Sequence, residues 1–141
     1  MKISQETSIR ASTETLWRTL TDFPKYPAWN SILPKVEGEP FPEAALKITV
    51  NLPGGSRRNI EAVVTGCIPP KYFSFESRHR WGEWFFHEEW IFRMKEGTDG
   101  VRFVAEVFAN GLSLRFRRSK MENSLSRALR NMSEALKERV E

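Results

Sequence analysis

The run Trp84-Phe85-Phe86-His87-Glu88-Glu89-Trp90-Ile91-Phe92-Arg93-Met94 sets one carboxylate into a row of rings. Read with a strand's period of two, Trp84, Phe86, Glu88, Trp90, Phe92 and Met94 share one face, and Phe85, His87, Glu89, Ile91 and Arg93 share the other. The ring-rich face is read as inward. A carboxylate there loses hydration, so Glu88 must find a donor or hold a proton. In either state it can orient a ligand hydroxyl or carbonyl, or move a proton. A place at an open rim, or an arginine partner, would give it a structural part instead. His79 shares the space with Glu88 if the hairpin register sets them opposite, although a histidine beside a turn is commonly solvated. Tyr72 completes the candidate set for proton transfer, with His87 on the outer face.

Other chemistries find little support. His87-Glu88-Glu89 has no second histidine at the spacing a helical zinc motif needs, because position 91 is Ile91. Pro53-Gly54-Gly55-Ser56-Arg57-Arg58 lacks the lysine and spacing of a phosphate-binding loop and reads as a turn with two exposed arginines. There is no G-x-S-x-G nucleophile elbow, and Cys67, just before Ile68 and a proline pair, has no base near it in sequence. Neither a metal nor a cofactor is expected. Arg115, Arg117, Arg118 and Lys120 form a dense basic run that suits phosphates of lipid or RNA, or an acidic protein, and also suits a solvated face. Positive charge at a helix start opposes the helix dipole, so the run is locally unfavourable.

The elements that must position these residues follow from periodicity. Ile3 to Ile9 is weakly extended, and Ser12 offers an N-cap to a short helix with Leu16, Trp17 and Leu20 on one face. Pro24 and Pro27 then limit the segment around Phe23, Tyr26 and Trp29 to a turn or two of helix. Leu46, Ile48, Val50 and Leu52 alternate with polar residues, a half-buried strand. Further strands are expected from about Asn59 to Thr65, Tyr72 to His79, Trp84 to Met94 and Val101 to Ala109, joined as an antiparallel meander. From Ser113 to Val140 there is neither proline nor glycine. Leu114, Met121, Leu125, Ala128, Met132, Ala135, Leu136 and Val140 form the stripe of a helix roughly 40 Å long. That helix is the only element long enough to cover the sheet.

A chain of 141 residues fits one domain, taken as residues 1–141. With 40% hydrophobic, 12% aromatic and 28% charged residues, it is not a disordered, collagen-like or coiled-coil sequence. A net charge of +4 mildly favours anionic partners without establishing nucleic-acid binding. The single cysteine excludes an intrachain disulfide. Neither an apolar leader nor a run long enough to span a membrane is present, and a cytoplasmic location is expected.

Two stretches carry a family resemblance: Ile9-Arg10-Ala11-Ser12-Thr13-Glu14-Thr15-Leu16-Trp17, and Leu20-Thr21-Asp22-Phe23-Pro24-Lys25-Tyr26-Pro27-Ala28-Trp29-Asn30. With Pro69-Pro70-Lys71-Tyr72-Phe73-Ser74-Phe75, the Trp90 and Phe92 strand, Gly100-Val101 and the last helix ending Asn131 to Lys137, the chain resembles the START-like (SRPBCC) superfamily over its whole length. The resemblance implies an α+β helix-grip fold. A curved antiparallel sheet of about six or seven strands wraps a long C-terminal helix, two short helices follow the first strand, and a hydrophobic cavity lies between sheet and helix. Members include polyketide cyclases and aromatases, lipid and quinone carriers, and a ribosome-directed growth inhibitor.

The expected function is binding of a small hydrophobic or aromatic molecule, as carrier or sensor. Tyr26, Trp29, Phe73, Phe75, Trp84, Phe86, Glu88, Trp90, Phe103, Met121 and Leu125 are the expected lining. A solid core filled by those same rings is the structural alternative. Two rival functions stay open: a metal-free cyclase, aromatase or dehydrase using Glu88, His79 or Tyr72, and a module that binds ribosome, RNA or an acidic protein through the basic run. An exposed Trp81 or Phe85 would mark a dimer surface.

Overall fold

The computed structural model describes residues 1–55, 57–78 and 86–141. It holds seven antiparallel strands and a long C-terminal helix. The strands are β1 (Lys2–Ile9), β2 (Lys35–Glu37), β3 (Ala45–Asn51), β4 (Arg57–Ile68), β5 (Tyr72–Ser77), β6 (His87–Gly97) and β7 (Gly100–Asn110). Helix α1 covers Thr13–Thr21, a 3-10 helix covers Phe23–Ala28, and α2 covers Leu114–Val140. The sheet order β1-β7-β6-β5-β4-β3-β2 makes β2 to β7 a meander, with β1 added beside β7.

Local chemistry sets these elements. Ser12 caps α1, its Oγ accepting from the Thr15 N–H at 3.1 Å. Pro24 and Pro27 hold the following segment to six residues of 3-10 helix. Strand β4 runs further than the alternation predicts, because a bulge between Val64 and Gly66 absorbs one residue and lets pairing continue to Ile68. The bulge also reverses the alternation, so Cys67 pairs with Phe73 of the inner face and donates its thiol hydrogen to the Pro40 carbonyl at 3.0 Å. Burial pushes the Cys67 pKa up and keeps it a thiol. Gly66 is bare because a Cβ there would lie 2.5 Å from the Tyr72 ring. Gly100, at φ +140°, lets the β6–β7 hairpin pass so close to β1 that a Cβ would lie 2.3 Å from the Ile9 carbonyl oxygen.

Helix α2 crosses the concave face. It starts just beyond the end of β7 at Asn110 and finishes beside the far end of β1, where Lys137 donates to the Ser8 carbonyl at 2.8 Å. The Arg10 N–H bonds the Glu141 carboxylate there at 3.1 Å. Leu125, Ala128, Leu129, Met132 and Leu136 are buried against the inner faces of the strands. Each of the leucines and Met132 contributes roughly 1.5–3 kcal/mol of burial, and Ala128 about 0.8 kcal/mol, so the helix is held by its stripe rather than by its propensity.

Candidate functional site

The inward face of the sheet is a ladder of rings. Phe23 packs on Phe73 with centroids 5.8 Å apart, Phe75 stacks on Trp90 at 6.0 Å, and Phe92 stacks on Phe103 at 6.0 Å. Phe73, Phe75, Trp90, Phe103 and Leu125 expose between 0% and 2% of their surface. At their level, among the described residues, these side chains pack against one another and against α2 with almost no accessible surface left. The expectation that these residues line an open cavity is therefore corrected to a packed core, because α2 and α1 bring enough apolar volume to fill that part of the grip.

Glu88 sits where the ladder ends. It faces inward at 1% exposure and is held by Arg58, whose Nη1 and Nη2 donate to Oε2 and Oε1 at 2.9 and 3.3 Å. The Trp90 indole N–H donates to Oε1 at 2.9 Å, and the Glu88 backbone N–H donates to Ser77 Oγ at 3.1 Å. A buried carboxylate tolerates its site only when its oxygens are bonded in this way. With both oxygens engaged, the chemically available group is the guanidinium. The Arg58 side chain keeps 26% of its surface and lies over the Phe86 ring at 5.2 Å. A guanidinium carries more N–H donors than one carboxylate uses, so Arg58 retains donors for a ligand oxygen.

Arg58 is the residue that sequence reasoning missed. It was expected as an exposed turn residue, but β4 begins at Arg57, which gives Arg58 the parity of Ile60, Ala62 and Val64 and turns it inward. The parity of β4 was the available signal.

The remaining candidates separate. Tyr72 is not inside: it pairs with Arg93 on the outer face, its ring 5.4 Å from that guanidinium, because its neighbours Phe73 and Phe75 take the inward positions. His87 stands outward as expected, 3.4 Å from Glu76. Tyr26 is buried at 2%, and its hydroxyl donates to the Leu20 carbonyl, so it keeps no free polar tip for a ligand. Trp29 is half-buried and packs edge-on against Tyr26. Phe86 and Met121 are half-buried against the core. His79, Trp84, Trp81 and Phe85 lie outside the described residues. Among the described residues no group of three or more His, Cys, Asp or Glu side chains is arranged to hold a metal ion.

Burial raises the Tyr26 phenol pKa well above its ordinary value, with the Asp22 charge adding to the effect. Because the folded state keeps the proton that the unfolded chain loses near pH 10, the contribution is intact below that pH and is lost as pH rises above it. Equilibrium unfolding should show stability falling above about pH 10, by up to about 1.4 kcal/mol per pH unit from this group. Tyr26→Phe should flatten that fall and cost about 1–3 kcal/mol at neutral pH, through the orphaned Leu20 carbonyl.

At the Glu88 end of the sheet an open groove of about 290 Å³ runs between Ala109 and Asn110 of β7, Gly111, and Leu114, Arg115 and Arg118 of α2, with Met1 beside them. Ala109 is the cross-strand partner of Glu88, so groove and ion pair share one end of the grip. Arg115, Arg117, Arg118 and Lys120 are all exposed, and among the described residues none makes a salt bridge. No helix among the described residues is long and apolar enough to cross a membrane.

Comparison with solved structures gives the same architecture. TTHA0849 from Thermus thermophilus superposes with a TM-score of 0.81 at 14% identity, over 99% of this chain and 97% of that one. Protein MLL2253 from Mesorhizobium loti gives 0.72 at 18% identity, over 98% and 95%. The di-domain aromatase/cyclase StfQ of the steffimycin biosynthetic pathway gives 0.78 at 12%, over 99% of this chain and 50% of that one. No curated protein matches the chain. The family model for "Polyketide cyclase / dehydrase and lipid transport" matches residues 1–141. With its grip of seven strands on one long helix, the chain belongs to that family and, through it, to the START-like (SRPBCC) superfamily.

Proposed function

We propose that this protein binds one small amphipathic molecule at the Glu88 end of the grip, as a carrier or sensor. The oxygen-bearing end of the ligand rests on Arg58, and its apolar part lies against Phe86 and toward Met121. The observation that carries this reading is an inward guanidinium oriented by a bidentate carboxylate beside an aromatic face. Polarity placed at one point in an apolar concavity fixes a ligand's orientation. The packed rings beyond Trp90 favour a compact ligand over a long chain. The occupied oxygens of Glu88 favour binding over proton transfer, so the cyclase reading is the weaker of the two. Family membership supports a hydrophobic ligand in general terms, and the identity of that ligand is open to screening.

Titration with anilinonaphthalene sulfonate, an aromatic anion, tests the reading. The native protein is expected to bind it at one saturable site. Arg58→Lys, which keeps charge but loses the planar fork, is expected to weaken binding about tenfold or more. Absence of saturable binding, or an affinity untouched by Arg58→Lys, would count against the assignment.

A further inference from the structure

We propose that the beginning of α2 is a docking surface for an anionic phospholipid bilayer. From Val107 to Met121 the chain carries Arg115, Arg117, Arg118 and Lys120 and neither Asp nor Glu. Among these cations Phe116 is 85% exposed, and Leu112, four residues before it, is 37% exposed. Leu114 between them is buried in the core, so the same turn anchors one apolar residue and presents two outward. The backbone leaves helical geometry at Arg117, with φ −130° and ψ 19°, which sets the Phe116 turn apart from the rest of α2.

Neither feature serves the fold. A ring that exposed buries little, and cations on the first turns of a helix oppose its dipole. An anionic bilayer satisfies both at once. Arg and Lys gain from the negative surface potential, while Phe116 and Leu112 enter the boundary between headgroups and acyl chains. The groove beside them, with Arg115 and Arg118 at its rim and Leu114 in its wall, is placed to take a phosphate headgroup. Single-stranded nucleic acid suits the surface less well, because such sites stack successive bases on several rings and here one ring stands beside an aliphatic side chain. The docking surface stands whether or not a ligand occupies the Arg58 site.

The test is sedimentation of the whole chain with vesicles of phosphatidylcholine alone or mixed with phosphatidylglycerol. Binding is expected only to the anionic vesicles and should weaken as salt rises. Phe116→Ala should weaken it several-fold, and the pair Arg117→Glu and Arg118→Glu should reduce it roughly a hundredfold or more. These side chains are exposed, so unchanged circular dichroism will separate lost docking from lost folding. Lack of binding to anionic vesicles at low salt, or equal binding by both variants, overturns the proposal. So does retention of single-stranded RNA in place of vesicles. Failure here leaves the anilinonaphthalene sulfonate result untouched, since that probe reports on Arg58.

Discussion

Truncating Trp90 to alanine is expected to lower the free energy of unfolding by about 3–5 kcal/mol, a fall of about 10 °C or more in Tm. Trp90 exposes no surface, stacks on Phe75 with planes 11° apart, and donates its indole N–H to Glu88. Removing it opens a cavity the size of an indole and takes a donor from a buried carboxylate. Trp90→Phe separates these effects. It keeps a ring against Phe75 and loses the N–H, so its expected cost is about 1–3 kcal/mol. Denaturant unfolding of both variants checks the pair. Near-neutral behaviour of Trp90→Ala would mean that the ring ladder is not close-packed.

Arg58→Met is expected to cost about 3 kcal/mol, because Glu88 is then left buried without its counter-ion. The partial exposure of Arg58 puts this at the lower end of values for buried pairs. The converse change, Glu88→Leu, should cost less, since an arginine that keeps contact with water can swing outward. The double variant should recover most of the loss from the unpaired charge, as buried ion pairs commonly do when both partners become apolar, and stay about 1–3 kcal/mol below the parent because the Trp90 indole N–H loses its acceptor. A double-mutant cycle by chemical unfolding measures the coupling. Strictly additive losses would show that the two side chains do not act as a pair.

Much of the fold was legible because the local and global patterns agree. Ser12 as a cap, the alternation from Leu46 to Leu52, and the proline-free run ending in α2 each point to the element found. Strand β2 was missed because three residues, Lys35–Glu37, are too few to show a period. The inward direction of Glu88 and its ring-lined face were readable from alternation alone. Two features were not. The packed state of the rings depends on how much volume α1 and α2 bring to the sheet, which no strand pattern contains. The Arg58 partnership joins residues 30 apart in sequence through the pairing of β4 with β5 and of β5 with β6, and the Gly-Gly-Ser-Arg-Arg run reads locally as a turn. Tyr72 was misplaced for a simpler reason, since the alternation that puts Phe73 and Phe75 inside puts it outside.

The most direct test of the central claim is an NMR titration with anilinonaphthalene sulfonate that follows the indole N–H of Trp90, identified by its loss in Trp90→Phe. That hydrogen bonds Glu88, so it reports on the Arg58–Glu88 pair from within the core. The account predicts that its resonance shifts and saturates with the same affinity as probe binding, and that Arg58→Lys weakens both together. A probe that binds while the Trp90 resonance stays still would place the ligand elsewhere on the molecule and contradict the assignment.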